Sequence, residues 1–172
     1  MAVLQNKIDF ALVFSVKNAN PNGDPLNGNI PRMTYDGHGE LSDVCLKRKI
    51  RNRLQDAGES IFVQSDDYRK DEHRSLRNRA EAVLGKAMKN EEELRKLANE
   101  TWIDVRSFGQ VFAFKGGEGK GVSVGIRGPV TIQPAFSVDL INVTSLQITK
   151  SVSGEGDGSK RGSDTMGMKH SV

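Results

Sequence analysis

At 172 residues, with 36% apolar and 27% charged side chains, the chain is long enough for one domain with a core and short for two. A formal net charge of +3 permits a polyanionic partner without requiring one, so the placement of charge matters more than its sum. The single Cys45 excludes an internal disulfide, and nothing at the N-terminus resembles a signal peptide. With no apolar run near the roughly 18 residues of a membrane span, the expected location is cytoplasmic with no membrane partner.

Ile8 to Val16 (IDFALVFSV) is apolar, with β-branched or aromatic residues at most positions, and predicts a strand buried on both faces. It runs into NANPNGDPLNGNIPR, Asn18 to Arg32, where proline, glycine and asparagine force turns. Ser42 or Asp43 then caps a helix whose Leu46, Ile50, Leu54 and Ala57 form one apolar stripe, ended by Gly58. Ile61–Val63 suggests a short strand. Residues 60–101 read as a charge-dense helical insertion. It holds one helix from about Arg74 to Met88 and another opened by Asn90 with Glu93 three residues on. Trp102 to Phe114 suits a helix running into a strand. After the glycine-rich KGGEGKG, Val122 to Thr149 alternates as two or three strands interrupted at Gly128-Pro129. Ser153 to Val172 reads as a loop. Strand, helix, helices, strands in that order give an α+β sheet domain.

The helix carries Lys47, Arg48, Lys49, Arg51 and Arg53 within seven positions, and acids near them are few. One reading is a solvated surface helix. The other is a phosphate-binding face, because like charges so crowded repel until an anion neutralises them and counterion release then drives binding. In the upstream loop, Asn20 and Asn22 offer amides, with exposed backbone N–H groups beside them, and Arg32 closes the loop. Such groups grip phosphate and ribose without reading sequence. Arg106 is a further candidate cation. Replacing Ile50 by Asp is expected to unfold the domain, whereas reversing Lys47, Arg48 and Arg51 is expected to leave the fold intact.

NANPNGDPLNGNIPR and SDVCLKRKIRNRL are followed in order by DVRSFGQVF (Asp104–Phe112), GIRGPVTIQPAFSV (Gly125–Val138) and SDTMGMKH (Ser163–His170). Together, along the whole chain, these five motifs resemble the backbone subunit of type I-C CRISPR Cascade surveillance complexes. The resemblance implies a modified RNA-recognition-motif (ferredoxin-like) palm, with the helical region inserted and a hairpin protruding. It implies one RRM-like domain over residues 1–172. Relatives continue past the TMGMKH segment, so the C-terminal part of the family fold is expected to be absent. The implied partners are guide RNA (crRNA), copies of the chain itself, other Cascade subunits, and target DNA reached through the guide. A guide must be held whatever its sequence, leaving base pairing to supply specificity. The resemblance also makes residues 150–170 a thumb, where Lys160, Arg161, Lys169 and His170 hold phosphates and Met166, favoured over Met168, wedges between bases.

Catalysis finds little support, and no cofactor is expected. His38, His73 and His170 share no metal-ligand spacing, KGGEGKG fails the P-loop template, and Asn18 to Asp24 lacks the carboxylates of a calcium loop. A generic single-stranded RNA-binding module and an RNA-cleaving backbone subunit stay open as alternatives. Phe108, Phe112, Phe114 and Trp102 are read as core rather than as a base-stacking platform.

Overall fold

The computed structural model describes residues 4–114, 122–150 and 164–172, and it mixes helix and strand, as an α+β reading requires. The chain divides into two compact units, Met1–Leu41 with Phe136–Val172, and Ser42–Ala135. Among the described residues no helix is long and apolar enough to cross a membrane.

The second unit starts with α1 (Asp43–Asp56). Ser42 is its N-cap, the hydroxyl accepting from the Cys45 N–H, and Gly58 at φ 90° follows its end. After a short 3₁₀ turn at Asp66–Tyr68 come α2 (Leu76–Leu84), a second 3₁₀ turn (Gly85–Lys89), α3 (Glu91–Thr101) and α4 (Ile103–Phe108). The expected Asn90 cap is present, its side chain accepting from the Glu92 and Glu93 amides. The chain leaves α4 directly into β4 (Gly109–Phe114), which pairs antiparallel with β5 (Val122–Arg127), Gly109 opposite Arg127 and Phe112 opposite Val124. Gly109 at φ 80° makes this junction; a Cβ there would lie 2.4 Å from the Ile126 carbonyl oxygen. One face of the β4–β5 ribbon, with Phe112, Val124 and Ile126, closes on Phe62, Leu84, Leu94, Ala98, Trp102 and Val105. Phe62 is the centre, with ring centroids 4.6 Å from Trp102 and 5.1 Å from Phe112. Trp102 and Phe112 are therefore core, as their sequence context suggests.

Residues Ile61–Val63 form no strand; the amides of Phe62 and Val63 are satisfied by a side chain. Asp104, fully buried, accepts from the Phe62 N–H at 2.8 Å and the Val63 N–H at 3.1 Å, and pairs with Arg51 Nε at 2.9 Å. Arg79 closes the same segment from the other side. It donates to the Phe62 carbonyl at 2.8 Å and holds both oxygens of Asp71. Helix α1 consequently turns its polar face inward. Gln55 is buried, donating to the Tyr68 carbonyl, while Leu46, Ile50 and Leu54 are only half-buried and Ala57 is exposed. The expected apolar stripe does not face this unit's core, so Ile50 is not the buried anchor foreseen for it.

In the first unit, β1 (Gly23–Asp24) pairs antiparallel with β2 (Ile30–Pro31) through a turn with Gly28 and Asn29 at positive φ. Strand β3 (His38–Leu41) pairs with β6 (Ala135–Leu140), the Gly39 N–H donating to Ser137 Oγ. Strands β7 (Thr144–Lys150) and β8 (Asp164–Ser171) pair antiparallel, with the register shifting between Ile148 and Thr149. Two expectations fail here. The terminal segment is a strand from Asp164 onward rather than a loop, because pairing with β7 satisfies its backbone. Ile8–Val16 forms no strand: among the described residues nothing pairs with it, and all of it is exposed. Hydrophobicity marks a segment that can join a sheet, but a strand exists only with a neighbour.

Asp104→Ala removes the acceptor of two amides and the partner of Arg51, and is expected to destabilise the second unit by about 3–5 kcal/mol. Urea unfolding followed by Trp102 fluorescence measures this, and an unchanged midpoint would mean the carboxylate is not what holds the segment. The hydrogen bonds from Arg79 lower the Asp71 pKa below its ordinary 3.8. The pair's contribution is thus present above pH 3.8 and lost as pH falls through the depressed folded value. Asp71→Asn should flatten the acid limb of the stability profile, and an acid limb as steep as that of the parent chain would assign it to other carboxylates.

Candidate nucleic-acid interface

The five cations of α1 separate into two classes that sequence spacing alone cannot distinguish. Arg48, Arg51 and Gln55 recur three and four residues apart and share the inward face. Arg51 is 13% exposed, paired with Asp104, and its guanidinium lies 5.2 Å from the centre of the Phe108 ring. Arg48 donates to the Val63 carbonyl at 3.1 Å. Burial first, and then the neighbouring Arg51 charge, lower its pKa. Both arginines therefore serve the fold, and the expectation that they are uncompensated and can be reversed without structural cost is corrected. Their partners come from residues more than ten positions away, which is why nearby acids did not reveal them.

The other three face outward or sideways. Lys49 is exposed. Arg53 is 86% exposed, with Asp56 3.7 Å away, a separation and exposure at which an ion pair holds a side chain weakly. Lys47 bonds Asp43 at 3.0 Å one turn earlier, and that bond lowers the pKa of Asp43. Lys49 and Arg53 flank Leu46 and Ile50 on the side of α1 opposite Arg48 and Gln55. This leaves a cationic surface smaller than the sequence suggests. Arg106, at the end of α4, is exposed and donates to the Asn99 carbonyl at 3.2 Å, not to an acid.

The first unit carries its own polar group. Asn20 Nδ2 donates to the Asn29 carbonyl at 2.7 Å, the Asn22 side chain donates to the Gly23 carbonyl, and the Arg32 amide donates to the Asn22 carbonyl. Gly23 has no room for a side chain, since a Cβ would overlap Asn29. The loop is thus a set of interlocked turns. Arg32 Nη2 lies 3.5 Å from Glu40, and its buried Nε has no partner, as is true of the buried Asn20 Oδ1. Ala19 and Val172 exchange reciprocal backbone hydrogen bonds of 3.3 and 3.0 Å, tying the end of β8 to the start of this loop. On the hairpin, Lys169 is exposed opposite Leu146, and His170 Nδ1 lies 2.8 Å from Ser145 Oγ. Met168 is 52% exposed. Lys160 and Arg161 lie outside the described residues, as does the Met166 side chain.

Asp104, Arg79 and Asp71 escaped the reading of the sequence as an organising network. One signal was present: in Trp102-Ile-Asp-Val105 a single carboxylate sits among apolar residues, and a carboxylate that is buried must have donors. Among the described residues no group of three or more His, Cys, Asp or Glu could hold a metal ion.

Two comparisons bear on these features. The family described as CRISPR-associated protein Cas7 matches residues 6–172. A CRISPR-associated protein Cas7 from Haloferax volcanii is 27% identical over 176 aligned residues, covering 91% of this chain and 51% of that protein. The chain thus spans about half the length of this curated relative. With a match that takes in both units, the chain belongs to the Cas7 family of CRISPR-associated proteins.

Proposed function

We propose that this chain is a non-catalytic backbone subunit of a type I-C CRISPR Cascade. On this reading it polymerises along guide RNA in the cytoplasm and holds the sugar-phosphate backbone so that the bases can pair with target DNA. The palm is RRM-like, and the β7–β8 hairpin carries the thumb. The observation that supports it most is the division of α1 within a Cas7-family chain. Arg48 and Arg51 anchor the helix, while Lys49 and Arg53 remain on its accessible surface. Mobile, weakly paired cations can exchange a nearby acid or counterion for a phosphate, and such contacts are indifferent to base identity. The loop from Asn20 to Arg32 suits the same task as a rigid shelf, its side-chain amides bracing its own turns.

Binding to unstructured RNAs of equal length should vary little with sequence and weaken steeply with salt. Lys49→Ala and Arg53→Ala are each expected to reduce the slope of log K against log[salt] by about 0.7, the single-strand value per phosphate contact. Arg51→Ala should instead lower the unfolding midpoint. An unchanged slope in both surface variants would move the RNA interface away from α1. Labelled RNA incubated with the protein and Mg²⁺ is expected to stay intact; discrete products would make this an RNA-cleaving subunit.

A further inference from the structure

Arg32 and Glu40 are neighbours by register. Met33 and Gly39 form an antiparallel bridge, so Arg32 stands opposite Glu40, and the Glu40 N–H donates to the Arg32 carbonyl at 3.0 Å. The backbone is fixed on both sides of the pair. The Arg32 N–H donates to the Asn22 carbonyl at 2.9 Å. The Gly39 N–H donates to Ser137 Oγ at 2.8 Å, and the Thr34 N–H closes the turn on the His38 carbonyl at 2.8 Å. What freedom remains lies in the two side chains. Directly opposed residues project to the same face, so these two charges meet.

The contact they make is poor. Arg32 meets Glu40 through Nη2 at 3.5 Å, beyond the usual reach of an N–H···O bond, with side chains 38% and 23% exposed. Its Nε is closed off from solvent and has no partner among the described residues, a costly position for a donor. Arg79 shows what a guanidinium fixed for structure does. Its Nε and Nη2 both bond Asp71, at 2.7 and 2.8 Å, and only 4% of its side chain is exposed. Arg32 is instead a half-buried cation with an anion beside it and part of its fork unused. Once the guanidinium turns outward, a phosphate can accept from Nε and Nη2 together, which the carboxylate does not do here.

We propose that Glu40 is a built-in stand-in for a phosphate, holding Arg32 until RNA displaces it; the role rests on the guide-binding reading. Because the carboxylate is tethered, its effective concentration is high, and a small free anion displaces it poorly. A phosphate in a strand held at other points is tethered too, and competes. Glu40 therefore sets a threshold: Arg32 grips a strand already bound elsewhere and passes over isolated anions. Apparent affinity falls by the fraction of Arg32 that stays paired.

The test measures binding of an unstructured single-stranded RNA to the whole chain, nuclease-treated, by fluorescence anisotropy at low salt. Glu40→Gln is expected to tighten binding about threefold, the scale of an exposed ion pair, and Arg32→Ala to weaken it. In an Arg32→Ala background Glu40→Gln should change little. Glu40→Asp keeps the charge but draws the carboxylate back by one methylene, and should tighten binding in the same direction. If Glu40→Gln lowers the urea midpoint, Glu40→Asp carries the comparison. Unchanged or weaker binding by the folded Glu40 variants overturns the proposal. So does equal tightening with and without Arg32, or Glu40→Asp identical to the parent, since either assigns the effect to net charge. In all these cases guide binding itself stands. A parent chain that binds no RNA overturns both readings.

Discussion

The buried carboxylate of Asp104 stands at the point where the second unit's helices meet its irregular segment. Removing a charged group from water is costly unless donors replace the solvent, and here two backbone amides and one guanidinium do so. The same three bonds fix other parts of the fold. Phe62 and Val63 need no strand partner, and the Phe62 ring is presented to Trp102 and Phe112. Arg51 draws α1 onto the unit by its polar side. Arg79, bonded to the Phe62 carbonyl and Asp71, closes the loop from α2. The aromatic core and the ionic network are therefore one arrangement, with the short stretch from Ile61 to Val63 as their common member.

That constraint decides which cations are available to a ligand. A helix held by Arg48, Arg51 and Gln55 must turn the opposite side outward, and this side carries Lys49 and Arg53 beside half-buried Leu46 and Ile50. The role proposed for the helix in a Cas7-family chain needs this division of labour. A cation that binds phosphate must be free to leave its own acid, and a cation that anchors a helix must not be. Exposure separates them, since Arg53 is 86% exposed and Arg51 13%.

The first unit is organised differently. Its described strands pair in twos, and much of their apolar surface is open, with Val138 at 92%, Leu140 at 65% and Leu146 at 57% exposure. Backbone hydrogen bonds, Asx-type turns and reciprocal bonds between Ala19 and Val172 give it definition where side-chain burial is slight. A two-stranded ribbon in water is marginal by itself, so surfaces of this kind favour association.

What the sequence determined is local. The cap at Ser42, the cap at Asn90, the break at Gly58, the passage of α4 into β4 and the core role of Trp102 and Phe112 all follow from short-range sterics, hydrogen bonding and side-chain size. Five ordered motifs also made the resemblance to a CRISPR backbone subunit legible. Tertiary structure alone decided the rest. Arg51 is neutralised by a residue 53 positions away, which no periodicity of α1 could disclose. The stripe of Leu46, Ile50 and Leu54 suggested an inward face, but buried donors and acceptors on the other side had stronger claims, because an unpaired polar group costs more than a half-exposed leucine. Ile8 to Val16 was legible as strand-forming; that it pairs with nothing among the described residues was not. Apolar alternation is a property of a segment, whereas a strand is a property of a pair.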